Sequence, residues 1–203
     1  MELFYKPGSC SMASHIVLRE IGAEFDLVKT DTKAAETETG ADYRAVNPNG
    51  YVPALRLDSG DILTENIAIL EYLASQNPAS GLAPSGSPLE TARRLEALSF
   101  VSSELHKAFS PFFSGATLDD AAREAALAKL RRRIGHIEER LADGRAHLLG
   151  ADFSIADAYA FVVLNWTRFI NFSLDAYPNA KRYLERIGAR DSVKAALAAE
   201  GLA

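Results

Sequence analysis

The apolar pattern of this chain changes character once, across a stretch rich in glycine, proline and serine between Gly81 and Pro88. Before that stretch, short alternating runs are interleaved with helical spacing. After it, only helical spacing recurs. A chain of 203 residues divided in this way has to build two cores of different kinds, because alternating and helical patterns bury their apolar faces against different layers.

In the first part, Glu2-Leu3-Phe4-Tyr5 reads as a strand stopped by Pro7-Gly8. A helix follows, with Ile16, Val17 and Ile21 apolar and Gly22 placed to end it. Phe25 and Leu27 alternate with charged neighbours as a second strand. Ala54–Leu57 and Ile62-Leu63, on either side of Asp58-Ser59-Gly60-Asp61, read as a β-hairpin. Ile67, Leu70, Leu73 and Ala74 restore a helical period that ends at Asn77-Pro78. Beyond Pro88, Leu127, Leu130, Ile134, Ile137 and Leu141 form the stripe of one long helix. Ser154-Ile155-Ala156-Asp157 fits a capping box ahead of the apolar run Ala158 to Leu164. The expected organisation is an α/β domain of order βαβ-ββα over residues 1–78, a linker over 79–86, and an all-α domain over 87–203.

Several function classes drop out. The single cysteine, Cys10, excludes an intrachain disulfide framework. The longest apolar run, Ala158 to Leu164, is far short of the ~20 residues needed to span a bilayer, and no membrane partner is expected. The start, MELFYKPGSC, has neither the basic nor the apolar part of a signal peptide, so the expected location is the cytoplasm. Residues 1–80 carry 6 lysines and arginines against 12 aspartates and glutamates, which argues against nucleic acid as a partner. The basic run at Lys129–Arg133 contains Leu130, which keeps the helical stripe going, and reads as a solvated helix face. His15, His136 and His147 lack metal-ligand spacing, and no metal is expected.

The chemistry-bearing residues are few. Cys10 lies in the turn that opens the first helix, where the N-terminal end of a helix favours the thiolate. No second cysteine is available, so any disulfide partner comes from outside the chain. In Asn47-Pro48-Asn49-Gly50-Tyr51-Val52-Pro53, a proline stands directly before a strand. Either a cis Val52-Pro53 bond presents the Val52 backbone to a peptide-like ligand, or a trans proline begins an edge strand. Glu65-Asn66 opens a helix; there a carboxylate and unsatisfied N–H groups suit the ends of a zwitterion, or Glu65 simply offsets the helix dipole.

In this order and spacing, Cys10, Val52-Pro53 and Glu65 resemble the thioredoxin-like, glutathione-binding domain of the cytosolic glutathione transferases. Ser103-Glu104-Leu105-His106-Lys107 narrows the resemblance to the bacterial beta class, and the likeness spans essentially the whole chain. It implies a glutathione transferase that adds the glutathione thiolate to small electrophiles, carries out thiol–disulfide exchange through Cys10, or both. Glutathione is then the co-substrate, small electrophiles or disulfides are the second substrates, and the assembly is a homodimer. The resemblance gives Cys10, His106 and Lys107 catalytic roles. It makes Cys10, Val52, Glu65, Asn66, Ser99, Ser103, Glu104 and His106 glutathione contacts, with Ser103 and Glu104 reaching across the dimer interface. The spacing of Ser99, Ser103, His106 and Ser110 puts them on one helical face beside Leu95, Leu98, Leu105 and Phe109.

Three positions depart from that pattern. Asn66 stands where serine is common, Ala35 where a lysine often meets the glycyl carboxylate, and Ser99 where asparagine is common. Lys33 is the candidate replacement cation. The competing reading is a binding or regulatory protein that keeps the fold without the chemistry. Phe109, Phe113 and Trp166 either line an electrophile pocket next to His106 or are core residues of the helical domain, the commoner case for aromatic side chains, and they are left out of the expected site.

Overall fold

The computed structural model describes residues 1–83 and 86–203. Pro84 and Ser85, inside the expected 79–86 linker, lie outside the described residues. Contacts divide the chain into two units, Met1–Pro84 with Ala189–Ala203, and Ser85–Gly188.

The first unit holds strands β1 (Glu2–Tyr5), β2 (Asp26–Asp31), β3 (Glu36–Thr37), β4 (Ala54–Arg56) and β5 (Ile62–Thr64), and helices α1 (Met12–Glu20) and α2 (Asn66–Gln76). The sheet order is β3-β2-β1-β4-β5. β1 runs parallel to β2 and antiparallel to β4, and β4 and β5 form the expected hairpin in the register Ala54↔Thr64. This is the thioredoxin-like arrangement. Leu3, Phe4 and Tyr5 of the central strand are buried, and Met12 to Leu18 of α1 are buried without interruption. Gly22, at φ +66°, takes the left-handed conformation that ends α1, as its position in the sequence predicts. β3 has no counterpart in the sequence reading, because a two-residue strand is too short to show a period.

Helix α8 (Asp191–Ala199) packs on α1. The last fifteen residues therefore belong with the first unit, whereas the sequence pattern assigns everything from 87 to 203 to the helical domain. Periodicity identifies a helix but says nothing about which core receives its apolar face. Arg190 and Ser192 both donate to the Glu20 carboxylate at the end of α1, and the buried Glu200 carboxylate meets His15 of α1 at 2.8 Å.

The second unit contains α3 (Pro88–Phe100), α4 (His106–Phe113), α5 (Asp120–Arg140), α6 (Ile155–Asn165) and α7 (Pro178–Gly188). A capping box at Ser87 and Glu90 starts α3. Between α3 and α4, Val101–Leu105 forms a π turn in which the His106 N–H bonds back to the Val101 carbonyl. Leu98, Leu105 and Phe109 are fully buried, but Leu95 is 41% exposed. It lies at the edge of the apolar face, and Arg94 and Ala97 are the buried residues of that turn. In α5 the stripe Leu130, Ile134, Ile137 and Leu141 is buried as the spacing predicts, with Leu127 partly so.

Helix α6 is buried from Ile155 to Leu164, and its capping box is present. The fully buried Asp157 carboxylate accepts the Ser154 N–H at 2.9 Å, the Ser154 hydroxyl at 2.6 Å, the Leu148 N–H at 2.8 Å and the Tyr183 hydroxyl at 2.9 Å. It thus joins the N-terminus of α6 to the preceding loop and to α7. Truncating one partner of such a network leaves several buried donors unsatisfied. Asp157→Ala is expected to lower stability by about 3–5 kcal/mol in urea unfolding; a loss under about 1 kcal/mol would refute this role.

Candidate functional site

In the first unit, Cys10 lies between β1 and α1, partly exposed. Its Sγ–H points at the Val52 carbonyl at 3.4 Å. The Val52-Pro53 bond is cis, which decides between the two sequence alternatives. The loop before it is fixed by two donors on one oxygen: the Tyr43 hydroxyl and the Asn47 side-chain amide each bond the Tyr51 carbonyl at 2.7 Å. Burial pushes the Tyr43 pKa up to about 12, so it remains a hydrogen-bond donor. Tyr43 gave no signal in the sequence, because its partner is a backbone carbonyl eight residues away. Gly50, at φ +70°, closes the turn with its N–H on the Asn47 carbonyl.

Glu65 is exposed and holds φ +65° with ψ 117°, outside the ordinary regions for a side-chain-bearing residue. Such a conformation costs about 1–3 kcal/mol, and outliers of this kind cluster at ligand-binding sites. Its carboxylate makes no capping hydrogen bond to α2. Asn66 is buried: its Nδ2 donates to the Cys10 carbonyl at 3.1 Å and its Oδ1 accepts from the Ser14 hydroxyl at 2.8 Å. The side chain therefore joins the start of α2 to the start of α1 rather than facing solvent. Ala35 is buried at φ +58°, its carbonyl accepting from the Tyr43 N–H, and Lys33 is exposed nearby in sequence.

In the second unit, the π turn carries Ser103 and Glu104 and ends on His106. π turns inside α-helices occur often at functional sites. The Ser103 hydroxyl bonds back to the Ser99 carbonyl at 2.8 Å, and Glu104 pairs with Arg133 at 2.5 Å. Ser99 and Ser103 are exposed, as is Lys107. His106 bonds the Tyr159 hydroxyl through Nδ1 at 2.9 Å and packs its edge on Trp166, with ring centroids 4.8 Å apart. Phe109 and Phe113 stack on each other and meet the same indole. Phe109 and Trp166 are core, as read from the sequence, but Phe113 is 49% exposed. The exposed half of an otherwise buried aromatic cluster next to His106 is an apolar surface that the sequence pattern alone did not separate from the core.

Among the described residues, no cluster of His, Cys, Asp and Glu could hold a metal ion, and no helix is long and apolar enough to cross a membrane.

Burial lowers the His106 pKa from 6.5 to about 4, with the Lys107 charge as the second cause. The ring is therefore neutral at neutral pH and offers one N–H and one lone pair. The unfolded chain protonates it near pH 6.5, so between about pH 6.5 and 4 the unfolded state binds more protons, and stability falls as pH falls. Wild type is expected to lose roughly 1–3 kcal/mol more than His106→Asn between pH 7 and about 4.5, read by urea unfolding. Parallel pH dependences of the two proteins would refute a buried neutral ring.

Residues 1–75 match the family model of the glutathione S-transferase N-terminal domain, and residues 120–186 that of the C-terminal domain. The chain is 41% identical over 202 residues to glutathione S-transferase GstA of Escherichia coli O157:H7, covering all of both sequences. It is similar to the solved bacterial beta-class glutathione S-transferase of Sphingomonas chungbukensis, at 49% identity with a TM-score of 0.95 and full coverage of both chains. A sphingomonad glutathione S-transferase complexed with glutathione matches with a TM-score of 0.93 at 49% identity, again over 100% of each chain.

Proposed function

Because the chain belongs to the glutathione S-transferase family, and is a transferase with glutathione as co-substrate, we propose that Cys10 acts directly on the glutathione sulfur. The observation that carries this reading is the Cys10 thiol set 3.4 Å from the Val52 carbonyl, at the cis Val52-Pro53 turn. A peptide-like ligand that pairs with the Val52 backbone would bring its own cysteinyl sulfur toward Cys10. In the exchange reaction, the Cys10 thiolate attacks one sulfur of oxidised glutathione. The Cys10–glutathione S–S bond forms as the original S–S bond breaks, and one glutathione thiolate leaves. The thiolate of a second, small-molecule thiol then attacks the glutathione sulfur of the mixed disulfide, forming its own S–S bond to glutathione as the Cys10 thiolate leaves. The reverse sequence reduces a small mixed disulfide and releases oxidised glutathione. In conjugation, the bound glutathione thiolate attacks an electrophilic carbon and displaces its leaving group. A thiol stabilises a neighbouring thiolate less well than a hydroxyl does, so exchange weighs at least as much as conjugation at this residue.

The remaining roles follow from the chemistry of each group. Val52 pairs with the cysteinyl backbone, and Glu65 holds the γ-glutamyl ammonium, which would offset the cost of its backbone conformation. Asn66 contributes its backbone N–H, since its side chain is occupied by Cys10 and Ser14. Neutral His106 supplies a hydrogen bond toward the glutathione sulfur, and Lys107 a nearby positive charge that favours the thiolate. Ser99, Ser103 and Glu104 complete the glutathione contacts, the last two toward the site of a second copy in a homodimer. Phe113 offers the apolar surface for a small electrophilic or disulfide substrate. The reading places the protein in the cytoplasm, where a reducing glutathione pool maintains a lone catalytic thiol.

Incubation with oxidised glutathione followed by intact-mass measurement tests this reading. One glutathione adduct, reversed by reductant and absent from Cys10→Ala, is expected. No adduct on the wild type would reject exchange through Cys10. A conjugation assay would then separate an ordinary transferase from a binding protein without chemistry. Lys33→Ala is expected to weaken glutathione binding severalfold by calorimetry, and unchanged affinity would remove Lys33 from the site.

A further inference from the structure

The turn that carries Cys10 is anchored by a residue near the far end of the sequence. Glu200 follows α8, and its side chain is fully buried together with that of His15. One carboxylate oxygen accepts the Gly8 backbone N–H at 2.9 Å, and the other accepts from His15 Nδ1 at 2.8 Å. On the far side of the ring, the Arg19 Nε–H donates to His15 Nε2 at 3.3 Å. Arginine can only donate, so Nε2 is the acceptor and the His15 proton sits on Nδ1. Both Glu200 oxygens therefore face N–H donors whose polarity is fixed, one by the backbone and one by Arg19. Gly8, at φ +72°, is two residues before Cys10 in the same turn. Asn66 holds the other end of this short segment at the Cys10 carbonyl. The segment is thus tied at both ends, and its first tie is a buried carboxylate.

We propose that Glu200 is a positioning residue for Cys10: its carboxylate, oriented by His15 and Arg19, fixes the Gly8 N–H and through it the path of the turn that presents the thiol. A carboxylate satisfies both donors at once. The isosteric amide does not, because one of its two ends is an NH2 group that must face either Gly8 or His15 donor to donor. The reading adds to the proposed exchange at Cys10 and rests on it only for the glutathione arm of the test.

The test compares wild type, Glu200→Gln and a control, Ser192→Ala. Ser192→Ala loosens the same α8–α1 junction at Glu20 without touching Gly8. The first readout is adduct formation at Cys10 against the concentration of oxidised glutathione, by intact mass, at a pH where the thiol is fully ionised. Glu200→Gln is expected to lower the maximal rate about tenfold and to leave the half-saturating concentration within about twofold, because Val52 and Glu65 are untouched. Ser192→Ala is expected to change neither by more than about twofold. The second readout is amide hydrogen exchange. In Glu200→Gln it should accelerate at Gly8, Ser9 and Cys10 without a comparable rise along β1 and α2. An unchanged maximal rate in Glu200→Gln, or an equal loss in Ser192→Ala, would overturn the proposal and reduce Glu200 to a general stabiliser. Unchanged Gly8 exchange would overturn it as well. A wild type that forms no adduct rejects the glutathione role of Cys10; the exchange readout then judges the Glu200 anchor by itself.

Discussion

A buried carboxylate that has two fixed donors to satisfy is the constraint on which the Cys10 region depends. Burying a charge is costly unless hydrogen bonds replace its water. Glu200 meets that condition only when Gly8, His15 and Arg19 are all in place. The β1–α1 turn, the inner face of α1 and the segment after α8 are therefore mutually dependent. The same condition explains a histidine in the middle of a fully buried helix face: His15 is the connector between an arginine at the end of α1 and a carboxylate from the C-terminal segment. Aromatic packing supports it, with Phe25 against the His15 ring and Arg19 over Phe25.

The second unit solves a comparable problem with Asp157. There too a fully buried carboxylate is saturated by donors from three places, and it fixes where a central, wholly apolar helix begins. An apolar helix without a polar face has no amphipathic pattern to orient it, so the register of α6 depends on its cap. The π turn at Val101–Leu105 has the opposite effect, interrupting an otherwise regular helix where Ser103, Glu104 and His106 are carried. His106, packed against Trp166 and bonded to Tyr159, is held as a neutral ring by burial. In that state it can donate or accept one hydrogen bond at neutral pH without adding charge beside Lys107.

Much of this was legible in the sequence, for reasons that can be traced residue by residue. Strand β1, the β4–β5 hairpin, the stop at Gly22, the stripe of α5 and the capping box at Ser154 and Asp157 all depend on interactions within a few residues, which local pattern records. Cys10, Val52-Pro53 and Glu65 were recognisable because their order and spacing are specific even where each is ordinary alone. Other features left no local trace. The clamp on the Tyr51 carbonyl needs Tyr43 folded back over it, and the positive φ of Glu65 is a backbone property that a glutamate does not announce. Leu95 fits the helical stripe by spacing and is still 41% exposed, because the edge of a face is set by the neighbouring element.

The sequence by itself determined the kind of most elements, the change from mixed to helical architecture near Gly81–Pro88, the impossibility of an intrachain disulfide, and the one residue, Cys10, able to form a disulfide with an outside partner. These follow from residue type and short-range spacing. The tertiary structure alone decided which core receives α8, that Asn66 turns inward to the Cys10 carbonyl, that Val52-Pro53 is cis, and that a carboxylate 192 residues away fixes the Gly8 N–H. The physical reason is that a buried polar group is placed by its partners, and those partners become neighbours only when distant segments pack.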